Sequence, residues 1–192
     1  MLRKLGIGTV AVLGALALFV ATRPAAFHIE RSTTIAAPPE RVFPLVNDLH
    51  AWLRWSPYEK KDPAMKRSYS GPQAGEGAVY GWDGNDDIGA GRMTITGSAP
   101  NQRVAIRLEF TRPMTATNEV EFLFQGSGDG TRVVWAMDGR NGFLGKLISL
   151  LLDMDAMVGA DFEAGLAALK AAAEADATRA GALGGGGAAR TS

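Results

Sequence analysis

The sequence predicts an α+β domain in which one antiparallel sheet is covered on a single face by a long C-terminal helix, and three observations carry this. Between residues 66 and 138, apolar and polar side chains alternate in six short runs separated by Gly, Pro and Asn turn signals. From Gly145 to Ala175, apolar residues recur at steps of three and four. Ahead of both lies a single alternating run from Phe27 to Ile35, followed by two short helical patterns.

The first strand sets Phe27, Ile29 and Ile35 against polar neighbours, as a half-buried strand requires. In "APPERVFPLVNDLH" two prolines lead into a short helix with Val42, Phe43, Leu45 and Val46 on one side, and Pro44 limits its length. A second helical turn is expected to hold Trp52 and Trp55 and to end at Ser56-Pro57. Strands are then expected near 66–70, 77–83, 88–97, 102–110, 115–124 and 131–138. Val104, Ile106, Leu108 and Phe110 share one face, and Ala105, Arg107 and Glu109 take the other. Val120, Phe122 and Phe124 likewise oppose Glu119 and Glu121. One apolar face and one wet face mean a sheet covered on one side only. The cover is the C-terminal segment. Its Leu147, Leu151, Met154, Val158, Phe162, Leu166 and Leu169 form one stripe of a helix of ~28 residues, which at ~1.5 Å per residue is ~42 Å long.

The chain of 192 residues carries 20 Lys and Arg against 20 Asp and Glu. No basic stripe is present, which weighs against nucleic-acid binding. The absence of cysteine excludes disulfides and thiolate chemistry. Arg3 and Lys4 precede an uncharged run, residues 5–22, whose helix would measure roughly 27 Å, close to the hydrocarbon thickness of a bilayer. Residues 1–25 are therefore read as a retained single-pass membrane anchor, with the domain exported to the periplasmic side. A cleaved signal and a secreted domain is the alternative. Residues 26–174 form the domain. Residues 175–192, with Gly184–Gly187, are read as a disordered Gly/Ala-rich tail.

The stretches "IERSTTIAAPPERVFPLVNDLHAWLRWSPYEKKDPAMKRSYSGP", "GAGRMTI", "GDGTRVVWAMDG" and "MDAMVGADFEAGLAALK" carry a family signal across Ile29 to Lys170. The chain resembles the polyketide cyclase/dehydrase and lipid-transport group of the START-like (SRPBCC) superfamily, in particular a bacterial subgroup with an N-terminal hydrophobic helix. The resemblance implies a helix grip, a curved sheet of about seven strands in the order β-α-α-β6-α that wraps the C-terminal helix and leaves a cavity between them. That superfamily includes ligand carriers, cyclases, hydroxylase domains and chaperone activators, so fold alone does not give function.

Residues able to do chemistry are few. His28 falls on the polar parity of the first strand, and His50 lies in the Asn47–His50 turn, where a capping or solvated role is expected. Neither has a second ligand type nearby, so no metal site is expected. Asp83, Asp86 and Asp87 in "WDGNDD" suit a hairpin turn, and "DGNDDIGAGRM" lacks the calcium-loop pattern. Asp153 and Asp155 interrupt the apolar part of the long helix and flank its core face, where solvation or an ion pair is the default. No glycine pattern opens a helix after a strand, so no nucleotide cofactor is expected.

A cavity between sheet and helix would be lined by the inward parities. These supply Tyr80, Trp82, Met93, Phe110, Asn118, Phe122 and Trp135 from the strands, and Met154 and Met157 from the helix. Met137 and Arg31 share those parities. Trp52 and Trp55, three apart on a helical turn, can act together as a gate at the open end. The expected function is a membrane-tethered module that holds a hydrophobic or amphipathic small molecule, lipid-like or polyketide-like. The alternatives are a cyclase/dehydrase-type enzyme acting on such a ligand, or a regulatory, protein-binding domain with an incidental cavity.

Overall fold

The computed structural model describes residues 13–150 and 152–185. A helix of which residues 13–22 are described (α1) leads into β1 (Ala26–Ile35). Then come α2 (Pro39–Asn47), a 3-10 helix (Leu49–Arg54) and α3 (Pro57–Lys61). Six strands follow: β2 (Lys66–Ser70), β3 (Val79–Asp83), β4 (Ala90–Ala99), β5 (Arg103–Arg112), β6 (Ala116–Ser127) and β7 (Gly130–Arg140). The described chain closes with α4 (Phe143–Ile148) and α5 (Met154–Gly185).

The seven strands form one antiparallel sheet in the order β1-β7-β6-β5-β4-β3-β2, so that only β1 departs from simple succession. The outer face of the sheet stays in water behind paired charges: Arg92 meets Glu109 at 2.7 Å, Arg107 meets Glu119 at 3.2 Å, and Arg103 meets Glu121. These lie on the polar parities of neighbouring strands, where opposite charges directly across are favourable. The inner face carries the core. Val104, Ile106, Phe122, Phe124, Val133 and Trp135 are buried there against Phe162, Leu166, Leu169 and Ala173 of α5.

Two of the predicted helices differ from expectation. The turn expected to hold Trp52 and Trp55 is a 3-10 helix that contains Trp52 and is capped by Trp55, held at its start by Asp48, whose Oδ1 accepts from the His50 backbone N–H at 2.9 Å. Pro57 does not merely end it. Pro57 opens α3, where a missing N–H costs nothing at the first helical position. The C-terminal helix is broken as well. Ser149 closes α4 and α5 begins at Met154, so the single stripe from Leu147 to Leu169 is divided. The cause is Asp153. Its backbone carbonyl accepts from the Met157 N–H at 3.0 Å, and its side-chain Oδ1 accepts from the Ala156 N–H at 3.0 Å, which makes it the N-cap of α5. At the other end α5 runs past Glu174 to Gly185, through part of the stretch expected to be a disordered tail. Residues 186–192 lie outside the described residues.

Only residues 13–22 of the apolar run 5–22 are described, and among the described residues no helix is long and apolar enough to cross a membrane. α1 is tied to the domain at its C-terminal end. Lys146 Nζ of α4 donates to the Ala21 carbonyl at 3.1 Å, and the Asn141 N–H donates to the Ala25 carbonyl at 2.7 Å.

Candidate ligand-binding site

The strand register turns alternating side chains into rows that cross the sheet. One row joins Val104, Phe122 and Trp135 on β5, β6 and β7, and the body of α5 covers it. The next joins Ile95, Ile106, Val120, Met137 and Ile29. A third joins Tyr80, Met93, Leu108 and Asn118, and a fourth Trp82, Gly91, Phe110 and Ala116. The helix leaves the last two rows uncovered. A cavity of ≈ 1140 Å³ opens there, between the sheet on one side and the 3-10 helix, α3, residues Ser149, Leu150, Leu152 and Asp153, and the first turns of α5 on the other.

The wall is largely apolar. Trp52, Tyr80, Trp82, Met93, Phe110, Asn118, Trp135, Met154 and Met157 all line it, as do Met137, Leu108, Phe27, Ile88, Met65 and Met114. Glycines shape two parts of it. A Cβ at Gly91 would meet the Trp82 ring at 2.6 Å, so its absence lets the indole lie across β4. A Cβ at Gly165 would meet Trp135 at 2.7 Å, so its absence lets α5 approach the sheet beside the closed end of the cavity.

Trp55 and Phe122 do not line the cavity. Both are 0% exposed and stand behind it, in an aromatic cluster with Trp52, Trp135 and Phe162. Trp135 stacks on Phe162 at 4.0 Å with the planes 9° apart, and such pairs add about 0.5–1.5 kcal/mol beyond burial. The Trp52–Trp55 pair is therefore no gate. Trp52 Nε1 donates to the Val46 carbonyl at 2.9 Å and Trp55 Nε1 to the Leu45 carbonyl at 2.8 Å. These bonds fix both rings to α2, with the edge of Trp52 as cavity floor and Trp55 as core.

One polar group in the wall was not foreseen. Glu59 of α3 is buried, and its Oε1 accepts from the Tyr80 hydroxyl at 2.6 Å. Its Oε2 accepts from Arg67 Nε at 2.8 Å. Burial, and then the bond to Glu59, push the Tyr80 hydroxyl pKa far above its ordinary value, so Tyr80 stays protonated and donates. Tyr58 is likewise raised, by burial first and by Asp161 second. Nothing local in "SPYEKKDPAMKR" marks Glu59, because its partners come from β2 and β3. Tyr58 lay in sequence beside the tryptophans, yet it joins the cavity from α3 and not from their helix.

Several charged groups of the wall are held by partners in the chain, while Asp87 and Arg140 also line it and Asp153 caps α5. Asp161 meets Lys61 at 2.7 Å, and Arg31 binds Asp155 Oδ2 at 3.0 Å and Glu163 Oε1 at 2.9 Å. Arg31 is thus not a ligand group inside the cavity but a strap from β1 to the first turns of α5. Gly159 leaves the space in which its guanidinium lies. Asn118 points inward, with Nδ2 3.6 Å from Met137 Sδ. His28 stands at the rim, exposed, with Nδ1 2.8 Å from Asp138 Oδ1, and that hydrogen bond raises its pKa above 6.5. The Asp83–Asp87 turn is built as expected for a hairpin: Asn85 Oδ1 accepts from the Asp87 N–H at 3.0 Å, and Arg112 pairs with Asp83 at 3.0 Å. Among the described residues no cluster of three potential ligands is arranged to hold a metal ion.

A family model described as polyketide cyclase / dehydrase and lipid transport matches residues 26–174. The chain belongs to the polyketide cyclase/dehydrase and lipid-transport family. Solved structures with this fold include protein CV1439 from Chromobacterium violaceum, with TM-score 0.57 and 14% identity over 77% of this chain and 96% of that one. The Aha1 dimer from Colwellia psychrerythraea matches with TM-score 0.56 and 18% identity over 77% of this chain and 96% of its own. TTHA0849 from Thermus thermophilus matches with TM-score 0.56 and 20% identity over 78% of this chain and 99% of its own. At these identities the likeness is one of fold. No curated protein matches the chain. In this member of the polyketide cyclase/dehydrase and lipid-transport family, the sheet rows left bare by α5 define the candidate site.

Proposed function

We propose that this domain holds a hydrophobic or amphipathic small molecule between the sheet and α5, and that residues 5–22 tether it to a membrane. The observation that carries the reading is the cavity itself: ≈ 1140 Å³, walled mainly by aromatic and aliphatic side chains and methionines. An apolar wall of that extent left against water is unfavourable, and an apolar molecule that covers it removes that cost. Methionines at positions 65, 93, 137, 154 and 157 give a wall that adapts to more than one ligand shape. Of the five carboxylates that line it, Glu59, Asp155 and Asp161 face a cation of the same chain and Asp153 caps α5, which supports a holding role over acid/base work. The family description, which joins cyclases and dehydrases with lipid transport, supports a small-molecule site. The tether rests on the uncharged run 5–22 behind Arg3 and Lys4.

The test is photo-crosslinking. Full-length protein in phosphatidylcholine vesicles is exposed to a diazirine-bearing fatty acid, and the adducts are mapped by peptide mass spectrometry. Adducts on Met93, Leu108 and Phe110, competed away by unlabelled fatty acid, are the expected result. Adducts confined to residues 5–22 and to exposed side chains would remove the cavity from the account.

A further inference from the structure

The exposed apolar side chains of this protein are not scattered. Among the described residues the large ones are Leu13, Leu16, Leu18 and Phe19 on α1, Met114 after β5, and Phe143, Leu144, Leu152, Met154 and Met157 around α4 and the start of α5, with Leu53 alone elsewhere. Met114, Leu152, Met154 and Met157 stand on the rim of the cavity and at the same time face solvent. Phe143 and Leu144, each 53% exposed, lie on α4, whose C-cap Ser149 lines the cavity. A contiguous apolar surface of this kind marks a docking face, whereas a lone exposed Leu does not.

What covers it follows from where the chain enters. The uncharged run 5–22 ends at the rim: Ala21 accepts from Lys146 of α4, Ala25 from the N–H of Asn141, and Pro24, Ala26 and Phe27 line the cavity. An anchor that emerges from a bilayer at Ala21 therefore brings the mouth, and not the closed end, against the headgroups. The closed end points away. Arg54, beside Leu53, bonds Asp176 at 2.9 Å. Asp176 lies 21 residues along α5 from Asp155, or roughly 32 Å at ~1.5 Å per residue.

We propose that the occupant of this face is a lipid bilayer: the rim residues Met114, Leu152, Met154 and Met157, with Phe143 and Leu144 of the preceding α4, sit in its interface, and the cavity takes its ligand directly from the membrane. This rests on the ligand-holding reading above and adds the route. Apolar side chains on a helix that lies in the plane of the interface are buried among acyl chains, and an adjoining apolar cavity then offers a lipophile a path that never crosses water.

The chain has no cysteine, so single cysteines report one place each. Leu144→Cys and Met157→Cys probe the rim, and Leu53→Cys, an exposed leucine at the other end of the domain, is the control. Each full-length variant is labelled with the fluorophore NBD and reconstituted into phosphatidylcholine vesicles with and without doxyl-labelled lipid. Blue-shifted emission and at least twofold quenching at positions 144 and 157, with position 53 unchanged, is the expected result. Rim labels that behave like position 53 overturn the proposal. So do rim labels shielded from water yet not quenched by lipid, which would assign the face to a second copy or another protein. The diazirine probe in the same vesicles separates the two levels. Adducts at Met93 and Leu108 with aqueous rim labels leave the ligand reading standing and overturn the docking. Quenched rim labels without those adducts overturn the ligand route instead.

Discussion

Trp52 and Trp55 show how much a single residue's role depends on contacts its neighbours in the chain do not reveal. Their spacing of three suggested a shared face, and the 3-10 turn keeps their rings 4.6 Å apart. Both indole N–H groups bond to carbonyls of α2, six and ten residues back, which locks the rings inward. Trp55→Phe keeps most of the apolar bulk but leaves the Leu45 carbonyl without that donor. It should cost about 1–3 kcal/mol in urea unfolding of the full chain while leaving fatty-acid cross-linking at Met93 intact. A loss of cross-linking without a loss of stability would restore the gate. Inward parity made Phe110 and Phe122 equal candidates for the cavity, and the sequence could not separate them. Phe122 is paired with Trp135 under the helix, and Phe110 with Gly91 three rows away. Glu59 was invisible for a related reason: a buried carboxylate is recognised by its partners, and Tyr80 and Arg67 lie on other elements.

Strands were legible because each carries its own signal. Alternation fixes which side faces in, and Gly, Pro and Asn mark where each run turns, so β1 to β7 fall within a few residues of expectation. The C-terminal helix was harder. Its apolar stripe continues in phase across residues 149–153, and periodicity alone cannot distinguish one helix from two in register. The signal that could have found the break is Asp153 ahead of Met154-Asp155-Ala156, an N-cap residue followed by an acid in the first turn. That break matters, because the start of α5 then faces the sheet across the cavity. Arg31 ties that start of α5 to β1. Its hydrogen bond to Asp155 holds the Asp155 carboxyl below its ordinary value of 3.8. A carboxyl whose folded pKa is depressed stabilises the fold above its unfolded pKa and ceases to do so as pH falls through the folded one. Asp155→Asn should therefore lower the melting temperature at pH 7, and the gap to the unmutated chain should close as pH falls below about 3.8. An offset that persists unchanged at pH 2.5 would show that Asp155 acts through shape and not through charge.

At the scale of the whole molecule, the family match, the sheet and the C-terminal helix agree on one architecture, and its distinguishing feature is what the helix leaves bare. The core is complete without a ligand, since Val104, Phe122, Trp135, Phe162, Leu166 and Leu169 close on one another. In the two outer rows Tyr80 is covered by Glu59 and Met65, whereas Trp82, Met93, Leu108 and Phe110 stay half-buried against the cavity. Their completion by an apolar molecule is the central claim, and native mass spectrometry of full-length protein, gently extracted from the membranes of its own host, tests it most directly. Met93→Trp/Leu108→Trp, neighbours across β4 and β5 in the bare row, provides the comparison by occupying the space from the sheet side. The expected result is a recurrent noncovalent adduct of defined mass on the unmutated chain, removed by organic extraction and lost in the double variant at unchanged melting temperature. Bare protein in repeated preparations, with no uptake from a total lipid extract by either chain, would contradict it.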